Sequence, residues 1–462
     1  MKVEISNLGP VKKAEIDLKP LTVFIGQNGE GKSWSAYAIA AILGGYSFPE
    51  YLRAYLKGKT QQKYPPVDDA IEQFLEEGNA KIDVVKFASD CAENYFNDVA
   101  RFAPQLMGSF MKSDRLTFPD LQMRFNLGES KTELIAKIKA ALVDRKISFN
   151  PQTKTALLNA VKESREAILY FYSSGEFRDK LPERSVKEFV CKEVFQIIHT
   201  AFFASSYFLS PERTTIITLP FGGSIEKEFN GGEITEPFIE PVKQLLGSMS
   251  AAYQKSFYER KEQIKENPQI GEYLKLADFL ESDILLGKLD FETSIKKELL
   301  FQPTEGNVKL GMPVVSSMVK ELAPLVLYLR YLAKPNDLLI IDEPEMNLHP
   351  AVQVEIVEFL GMLVNANLKV LITTHSPYIV DQLVNLMKAE KHEEKEKFKE
   401  LFYLESSEAF LSQKRVSVYL FDEGNTKNIL PKNGIIDWET FSNVSEDVSQ
   451  LYSQLLTVED LD

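Results

Sequence analysis

The stretch Phe24–Ser35, FIGQNGEGKSWS, decides the predicted fold. The spacing G-x-x-x-x-G-K-[ST] of phosphate-binding loops is matched in it by Gly26, Gly31, Lys32 and Ser33. The residues before it, LTVFI, are typical of a short buried strand, and the residues after it, WSAYAIAAILGG, of a helix. Because a phosphate-binding loop joins a strand to a helix, this context predicts a nucleotide site.

The residue types in the loop suit nucleotide phosphates. Glycines allow backbone N–H groups to wrap the phosphates at a helix N-terminus. We expect Lys32 to contact the β- and γ-phosphates of ATP, and the Ser33 hydroxyl to ligate Mg2+. The residues predicted to bind the nucleotide are Gly26, Gln27, Asn28, Gly29, Gly31, Lys32, Ser33 and Trp34.

Length and composition indicate an ordinary folded protein. The chain has 462 residues, of which 44% are hydrophobic and 26% are charged, as is typical of globular domains. No run of about 18 apolar residues occurs, so no membrane span is predicted. The two cysteines, Cys91 and Cys191, form no ligand or disulfide spacing, which favours a cytoplasmic location.

The net charge bears on the choice of partner. A formal net charge of −14 differs from the basic surface that is typical of proteins that coat DNA. A local basic groove is compatible with this total, so DNA stays a candidate ligand. The charge therefore disfavours tight nonspecific DNA binding without deciding the question.

A second nucleotide-binding element lies in the sequence LLIIDEPEMNLHP, which starts at Leu338. Its apolar residues predict a strand that is buried on both faces. Asp342 and Glu343 follow at the carboxyl end of the strand, where parallel sheets bind ligands. We expect Asp342 to hold Mg2+ through water and Glu343 to polarise the water that attacks the γ-phosphate. A cation lets two adjacent carboxylates share one site.

A third element is the sequence KVLITTHSPYIV, in which a second buried strand ends in Thr374, His375 and Ser376. His375 follows the other elements in chain order, at the end of a strand of the same predicted sheet. It could hydrogen-bond the γ-phosphate and hold the attacking water. We therefore predict a catalytic role for His375 beside Glu343.

Four segments are predicted along the chain: residues 1–47, 48–300, 301–425 and 426–462. The first and third are expected to form one α/β unit with a parallel sheet, since strands and helices alternate in them. The second is mainly helical, with side strands, and is interpreted as an insertion for dimerisation or partner docking. The last is a tail.

Three strand predictions can be tested directly against the structure. The sequences LTFPDLQMRF, from Leu116 to Phe125, and KISFNP, from Lys146 to Pro151, are interpreted as strands of a small side sheet. The sequence RVSVYLFDEGNTKNI, from Arg415 to Ile429, predicts a hairpin around Glu423 and Gly424.

The three motifs GQNGEGKS, IDEPEMNLHP and TTHSP resemble, in their residues and their order along the chain, those of the ATP-binding-cassette ATPase heads. More narrowly, the chain resembles the branch that includes the overcoming-lysogenization-defect nucleases and SMC-like ATPases. The resemblance implies an α/β fold: a P-loop NTPase head of ABC type with a large, mainly helical insertion and a small side β-sheet. It also implies ATP hydrolysis with Mg2+. The motifs cover residues 1–45 and 300–425.

Heads of this kind act in pairs, so the resemblance implies a homodimer or higher oligomer. The serine-led signature helix would be VVSSMVKELAPLVLYL, which lacks the usual double glycine. Ser316 and Ser317 are its candidates for contacting the partner's ATP, and Ser317 is favoured because it lies at a helix N-terminus. Asn347 and His349 would cross the dimer interface. Arg213 in FLSPERT is a candidate sensor near the nucleotide or a partner.

What the ATP is used for is predicted by family analogy. The overcoming-lysogenization-defect nucleases need a strand-end Glu and a later Asp-x-Asp pair, and the tail offers only the terminal EDLD. We therefore expect no built-in nuclease. The layout resembles the ATPase subunits of two-gene defence systems such as Septu and PARIS, which implies a separately encoded effector such as a nuclease.

Three alternatives remain open. The first is an SMC-like ATPase that acts directly on DNA in repair or replication. The second is a transporter cassette, which the long helical middle and the missing signature glycines disfavour. The third is a scaffold that binds ATP without turnover, which Glu343 disfavours because binding alone needs no general base.

Overall fold

The structure, a computed structural model, describes most of the chain. The residues described are 1–112, 116–147, 158–173, 182–218, 240–254, 257–291 and 298–430, with 436, 450 and 451. The strands are β1 Lys2–Leu8, β2 Val11–Asp17, β3 Leu21–Gly26, β4 Asn79–Asp83, β5 Gln122–Asn126, β6 Val143–Ile147, β7 Leu158–Lys162, β8 Ile168–Ser173, β9 Ser206–Leu209, β10 Gly287–Phe291, β11 Leu299–Pro303, β12 Leu310–Gly311, β13 Leu338–Asp342, β14 Lys369–Thr374, β15 Val416–Asp422 and β16 Asn425–Asn428.

The helices lie between these strands. The α-helices are α1 Lys32–Leu43, α2 Ser47–Leu56, α3 Pro65–Glu77, α4 Val84–Ala100, α5 Ala103–Phe110, α6 Ser130–Ala140, α7 Glu183–His199, α8 Arg213–Ile216, α9 Glu240–Gln254, α10 Phe257–Glu266, α11 Gln269–Phe279, α12 Ser317–Leu327, α13 Pro350–Asn365 and α14 Pro377–Glu390. Two π-helical turns, Leu280–Leu285 and Tyr328–Leu332, extend α11 and α12. Within the ranges given above, no helix is long and apolar enough to cross a membrane.

The main sheet confirms the predicted α/β class. Among the described residues it has nine strands in the order β5-β1-β2-β16-β15-β3-β14-β13-β9. The neighbours from β15 to β9 are all parallel, and the pairs β5/β1, β1/β2 and β15/β16 are antiparallel. The strand β3 of the phosphate-binding loop lies between β14 and β15, so both motif-bearing strands, β13 and β14, end beside the loop.

The two predicted side strands have different outcomes. The prediction for residues 116–125 is wrong, because β5 pairs antiparallel with β1 at the edge of the main sheet. Its burial alternates, with Met123 and Phe125 inward, and such alternation identifies a half-buried strand without indicating its sheet. For residues 146–151, β6 does join a four-stranded side sheet in the order β4-β8-β7-β6, and residues 148–151 lie outside the described residues.

The C-terminal hairpin prediction is confirmed, since β15 and β16 pair antiparallel across Glu423 and Gly424. Most of the tail beyond residue 430, including the terminal EDLD, lies outside the described residues. The division of the chain at residues 47, 300 and 425 stays a prediction. Strands β5 and β9, from the 48–300 segment, nevertheless belong to the main sheet.

Strand β3 is buried along its whole length and separates two cores. Phe24 packs on one side with α1, α4 and α7, while Val23 and Ile25 pack on the other with α12, α13 and α14. Its two parallel neighbours hydrogen-bond to both edges. The end of β3, where the phosphate-binding loop begins, is thus held by packing on both faces of the strand and by hydrogen bonds on both of its edges.

His199, at the end of α7, is buried in an aromatic cluster of the helical core. Its Nε2 lies 2.8 Å from the Gly44 oxygen, and its Nδ1 lies 3.0 Å from the Tyr95 hydroxyl. A neutral ring satisfies both contacts by donating from Nε2 and accepting at Nδ1. Burial lowers the pKa of His199 to about 4.

This lowered pKa predicts acid sensitivity. Between pH 6.5 and 4 the unfolded chain binds a proton at residue 199 and the folded chain does not, so the free energy of unfolding falls as the pH falls. The expected loss is about 3 kcal/mol. Burial raises the pKa of Asp337 to about 7, which changes stability in the opposite direction, so the effect must be measured by comparison with a variant.

The comparison uses denaturant unfolding of the native chain and of His199→Asn from pH 7 to 4.5. The difference in the free energy of unfolding between the two chains is expected to become smaller as the pH falls. Only the native chain loses the stability that the neutral, buried His199 provides. The exposed His392 provides the control, and His392→Asn should follow the native chain at every pH. A difference that does not vary with pH would contradict the neutral, buried His199.

Candidate nucleotide-binding site

The loop between β3 and α1 has the backbone that the motif requires. Gly26 has φ 144° and Gly31 has φ 89°, values that favour glycine. A Cβ at Gly26 would lie 2.4 Å from the Phe421 carbonyl oxygen of β15. Any side chain at Gly26 would therefore push the loop away from the sheet.

Lys32 is the first residue of α1, and its side chain folds back over the loop. Its Nζ donates to the carbonyl oxygens of Gly26, at 2.9 Å, and Gln27, at 2.8 Å. Burial lowers the pKa of Lys32, and the charges of Glu343 and Asp342 oppose this shift. The ammonium group lies in the loop, where the motif places the phosphates of a nucleotide.

A cavity of about 480 Å³ opens over this loop. Trp34 forms one wall, held against the β1–β2 turn, where a Cβ at Gly9 would lie 2.2 Å from the indole ring. The Trp34 ring also meets Phe118 edge-on. The residues that line the cavity are Pro10, Asn28, Gly29, Gly31, Lys32, Ser33, Trp34 and Glu343.

Asp342, at the end of β13, accepts hydrogen bonds from three hydroxyl groups. Ser33 Oγ donates to Oδ1 at 2.8 Å, and Tyr37 OH donates to Oδ2 at 2.8 Å. Thr373 Oγ1 from β14 also donates to Oδ1. Burial and the Asp342 charge raise the pKa of Tyr37 well above its ordinary value, so Tyr37 stays a hydrogen-bond donor.

The pair of Ser33 and Asp342 fits a magnesium ion. One hydroxyl and one carboxylate, both hard oxygen donors, lie in contact beside the phosphate-binding loop. Mg2+ is usually bound by one or two carboxylates together with substrate phosphates and water. Among the described residues there is no cluster of three or more His, Cys, Asp or Glu side chains that could hold a metal alone.

Glu343 has a strained backbone, with φ 50°. A non-glycine residue in this region costs about 1–3 kcal/mol and is retained only where its surroundings fix it. Its N–H donates to the Thr373 carbonyl oxygen at 3.1 Å. The carboxylate lines the cavity with Lys32 and Ser33. The sharp turn after β13 thus directs Glu343 toward the predicted γ-phosphate.

His375 is brought beside Glu343, as the sequence predicts. Its Nδ1 lies 3.6 Å from Glu343 Oε1 and 3.5 Å from Glu345 Oε1. Glu345 is buried and accepts hydrogen bonds from the His375 N–H at 2.8 Å and from the Thr374 hydroxyl at 2.7 Å. The imidazole therefore lies between two carboxylates and is partly exposed.

The predicted interface residues are exposed, and all but Asn347 lie at the starts of helices. Ser316 caps α12, and its Oγ accepts from the Val319 N–H. Ser317 is the first helical residue. His349 caps α13 through Nδ1. Asn347 donates from Nδ2 to Glu321 Oε1 at 2.9 Å within the same chain. Contact of these residues with a second chain stays a prediction.

Arg213, the candidate sensor, does not line the cavity. It is only 2% exposed and lies beneath the site. Its Nη1 donates to the Asp342 carbonyl oxygen at 2.8 Å, and its Nη2 to the Glu343 carbonyl oxygen at 2.7 Å. Burial excludes direct contact between Arg213 and another protein, and a sensor role stays a prediction.

Four residues of the site were not predicted. Tyr37 could have been found because it follows Ser33 by one helical turn and shares its face. Glu345 lies two residues after Glu343 in a motif already identified, and Thr373 ends the strand before His375. Glu321 had no sequence signal, because its partner Arg213 is distant in the chain. The residues missed are Tyr37, Glu321, Glu345 and Thr373.

Comparison with known proteins identifies a family. A family profile described as AAA ATPase domain matches residues 1–380. No curated protein matches the chain. Among solved structures, an SMC head bound to the C-winged helix domain of ScpA has 13% identity and TM-score 0.34, over 93% of this chain and 96% of that chain. An SMC head domain from Thermotoga maritima has 10% identity and TM-score 0.30, over 93% and 97%.

Proposed function

Because the chain belongs to the family of AAA ATPase domains, we propose that it binds ATP and hydrolyses it to ADP and phosphate, with Glu343 as the general base. One observation carries this proposal: Glu343 lines the same cavity as Lys32 and Ser33. A site that only bound ATP would not need a carboxylate at that position.

In the proposed reaction, Lys32 Nζ gives up its hydrogen bonds to the Gly26 and Gln27 carbonyl oxygens and binds the β- and γ-phosphates instead. Glu343 accepts a proton from the water that attacks the γ-phosphorus. The bond from that phosphorus to the β–γ bridging oxygen breaks, and ADP takes the electron pair. His375 hydrogen-bonds the γ-phosphate, and Glu345 holds its backbone and ring in place.

Ser33 and Asp342 would hold Mg2+. The ion supplies positive charge that offsets the charge developing on the phosphate oxygens. The hydroxyl groups of Tyr37 and Thr373 hold the Asp342 carboxylate in place. Ser33, the third hydroxyl donor to Asp342, directly follows the phosphate-binding loop. These buried hydrogen bonds fix the direction of the carboxylate before the nucleotide arrives.

We further propose that two copies pair around ATP. The support is the placement of Ser317 at an exposed helix N-terminus, where hydroxyl and N–H groups suit an anion. Ser316 already caps α12, so Ser317 is the better candidate for the partner's γ-phosphate. ATP favours the paired state by its higher affinity for that state.

A more specific proposal concerns what ATP hydrolysis by this chain is used for. We infer that the paired chain regulates a separately encoded effector, such as a nuclease, in antiphage defence, as its resemblance to the overcoming-lysogenization-defect branch and to Septu and PARIS subunits implies. The support is sequence analogy in the three motifs. The competing function is direct action on DNA, which the net charge of −14 disfavours.

Phosphate release from ATP tests the hydrolysis proposal. With purified chain, ATP and Mg2+, we expect steady release whose rate per chain rises with protein concentration, because each paired site needs two copies. A chelator should abolish the release. Absence of release at every concentration would contradict the proposal. Stimulation by duplex DNA, lost at higher salt, would favour the DNA alternative over the effector.

A further inference from the structure

Arg213 and Glu321 form a buried ion pair behind the nucleotide site. Both side chains are at most 2% exposed, and Arg213 Nε lies 2.5 Å from Glu321 Oε2. Burying two charges is costly, and such a pair often adds little stability. The other contacts of the two side chains therefore indicate what the ion pair does besides stabilising the fold.

The remaining nitrogens of Arg213 bind backbone at the catalytic turn. They donate to the carbonyl oxygens of Asp342 and Glu343, at 2.8 and 2.7 Å. A further bond goes to the Ser210 carbonyl oxygen at 3.1 Å. One planar guanidinium thus fixes two successive carbonyl groups, and the second belongs to Glu343, whose φ is 50°. A lysine ammonium group has no planar pair of nitrogens, so it cannot reproduce this forked arrangement of hydrogen bonds.

Glu321 connects this turn to an exposed surface. It lies on α12, one helical turn after Ser317. While Oε2 binds Arg213, Oε1 accepts from Asn347 Nδ2 at 2.9 Å. Asn347 is exposed and has φ 57°. Burial raises the pKa of Glu321, and Arg213 opposes that shift.

We propose that Arg213, held by Glu321, is the positioning residue that sets the direction of the Glu343 carboxylate. The inference rests on the proposed hydrolysis by Glu343. The ion pair with Glu321 fixes the plane of the guanidinium group, and the guanidinium group in turn fixes the Asp342 and Glu343 carbonyl groups.

The first test is Arg213→Lys, which keeps the charge and loses the fork. We expect kcat for ATP hydrolysis to fall about tenfold or more, while KM for ATP and Kd for ADP stay within about threefold, because Arg213 does not line the cavity. Arg330→Lys is the matched control. Arg330 also pairs with a buried glutamate, Glu281, at 2.5 Å and donates to a backbone carbonyl, that of Leu289. Its substitution should leave kcat and KM unchanged.

The deciding measurement is a double-mutant cycle on the single-turnover rate. If Arg213 acts through Glu343, Arg213→Lys should change the residual rate of Glu343→Gln by less than about twofold. A further tenfold fall in that background would overturn the proposal, since it would show a merely structural effect. Equal loss of kcat and ADP affinity would overturn it as well.

Glu321→Gln repeats the cycle if Arg213→Lys does not fold. It keeps the size and both polar atoms of Glu321 and removes the charge that holds Arg213. The same loss of kcat, absent in the Glu343→Gln background, is expected. Unchanged kcat would overturn the proposal. Failure of the native chain to release phosphate would instead refute the proposed function, so the two failures are distinguishable.

Discussion

Glu343→Gln is expected to lower the rate of ATP hydrolysis about 10²–10⁴-fold, the usual contribution of a general base. Glutamine has nearly the same shape and keeps the hydrogen-bonding oxygen, so the turn after β13 should be retained. ADP affinity should stay within about threefold, because the carboxylate acts on water rather than on the phosphates. Single-turnover hydrolysis and calorimetric titration with ADP measure the two quantities.

Glu423→Gln is the control for this substitution. Glu423 is a glutamate in the same left-handed backbone conformation, with φ 48°, at the turn between β15 and β16. Its replacement removes the same charge from the same kind of turn, and the hydrolysis rate should not change. A Glu343→Gln chain that hydrolyses ATP at the native rate would show that another group is the base.

Lys32→Ala is expected to weaken ADP binding about 100-fold. A charge-assisted hydrogen bond contributes about 1.5–3 kcal/mol, and Lys32 is placed to form such bonds with a phosphate group. The substitution also leaves the Gly26 and Gln27 carbonyl oxygens without their donor. Calorimetry measures the affinity, and circular dichroism checks that the chain is folded.

Lys13→Ala controls for the loss of a positive charge. Lys13 is exposed on β2 and pairs with Glu15, so ADP affinity should stay native in this variant. Unchanged ADP affinity in Lys32→Ala, with the fold intact, would mean that the cavity above the loop does not bind phosphates. The interpretation of residues 24–35 would then be wrong.

Local patterns predict most of the groups that the structure brings together at the candidate site. The loop motif, the buried strand before Asp342 and the buried strand before His375 each lie within about a dozen residues of sequence. Parallel strands bring their carboxyl ends to one edge of a sheet. The structure places Glu343 and His375 together for this reason, with 3.6 Å between His375 Nδ1 and Glu343 Oε1.

Contacts between distant segments were not predictable from one sequence. Tyr37 and Asp342 are hydrogen-bonded although 305 residues separate them. Arg213 and Glu321 meet only because α8 packs against α12. The assignment of β5 to the side sheet failed for the same reason, since strand alternation does not specify which strand it pairs with. The burial of Arg213 likewise depends on tertiary packing.

The central claim is that ATP pairs two copies of the chain, and the mass of Glu343→Gln in solution tests it most directly. Light scattering would be recorded without nucleotide and with Mg-ATP, which this variant binds without rapid turnover. We predict the mass of one 52.5 kDa chain without ATP and twice that mass with it. A mass that is the same under both conditions would contradict ATP-driven pairing.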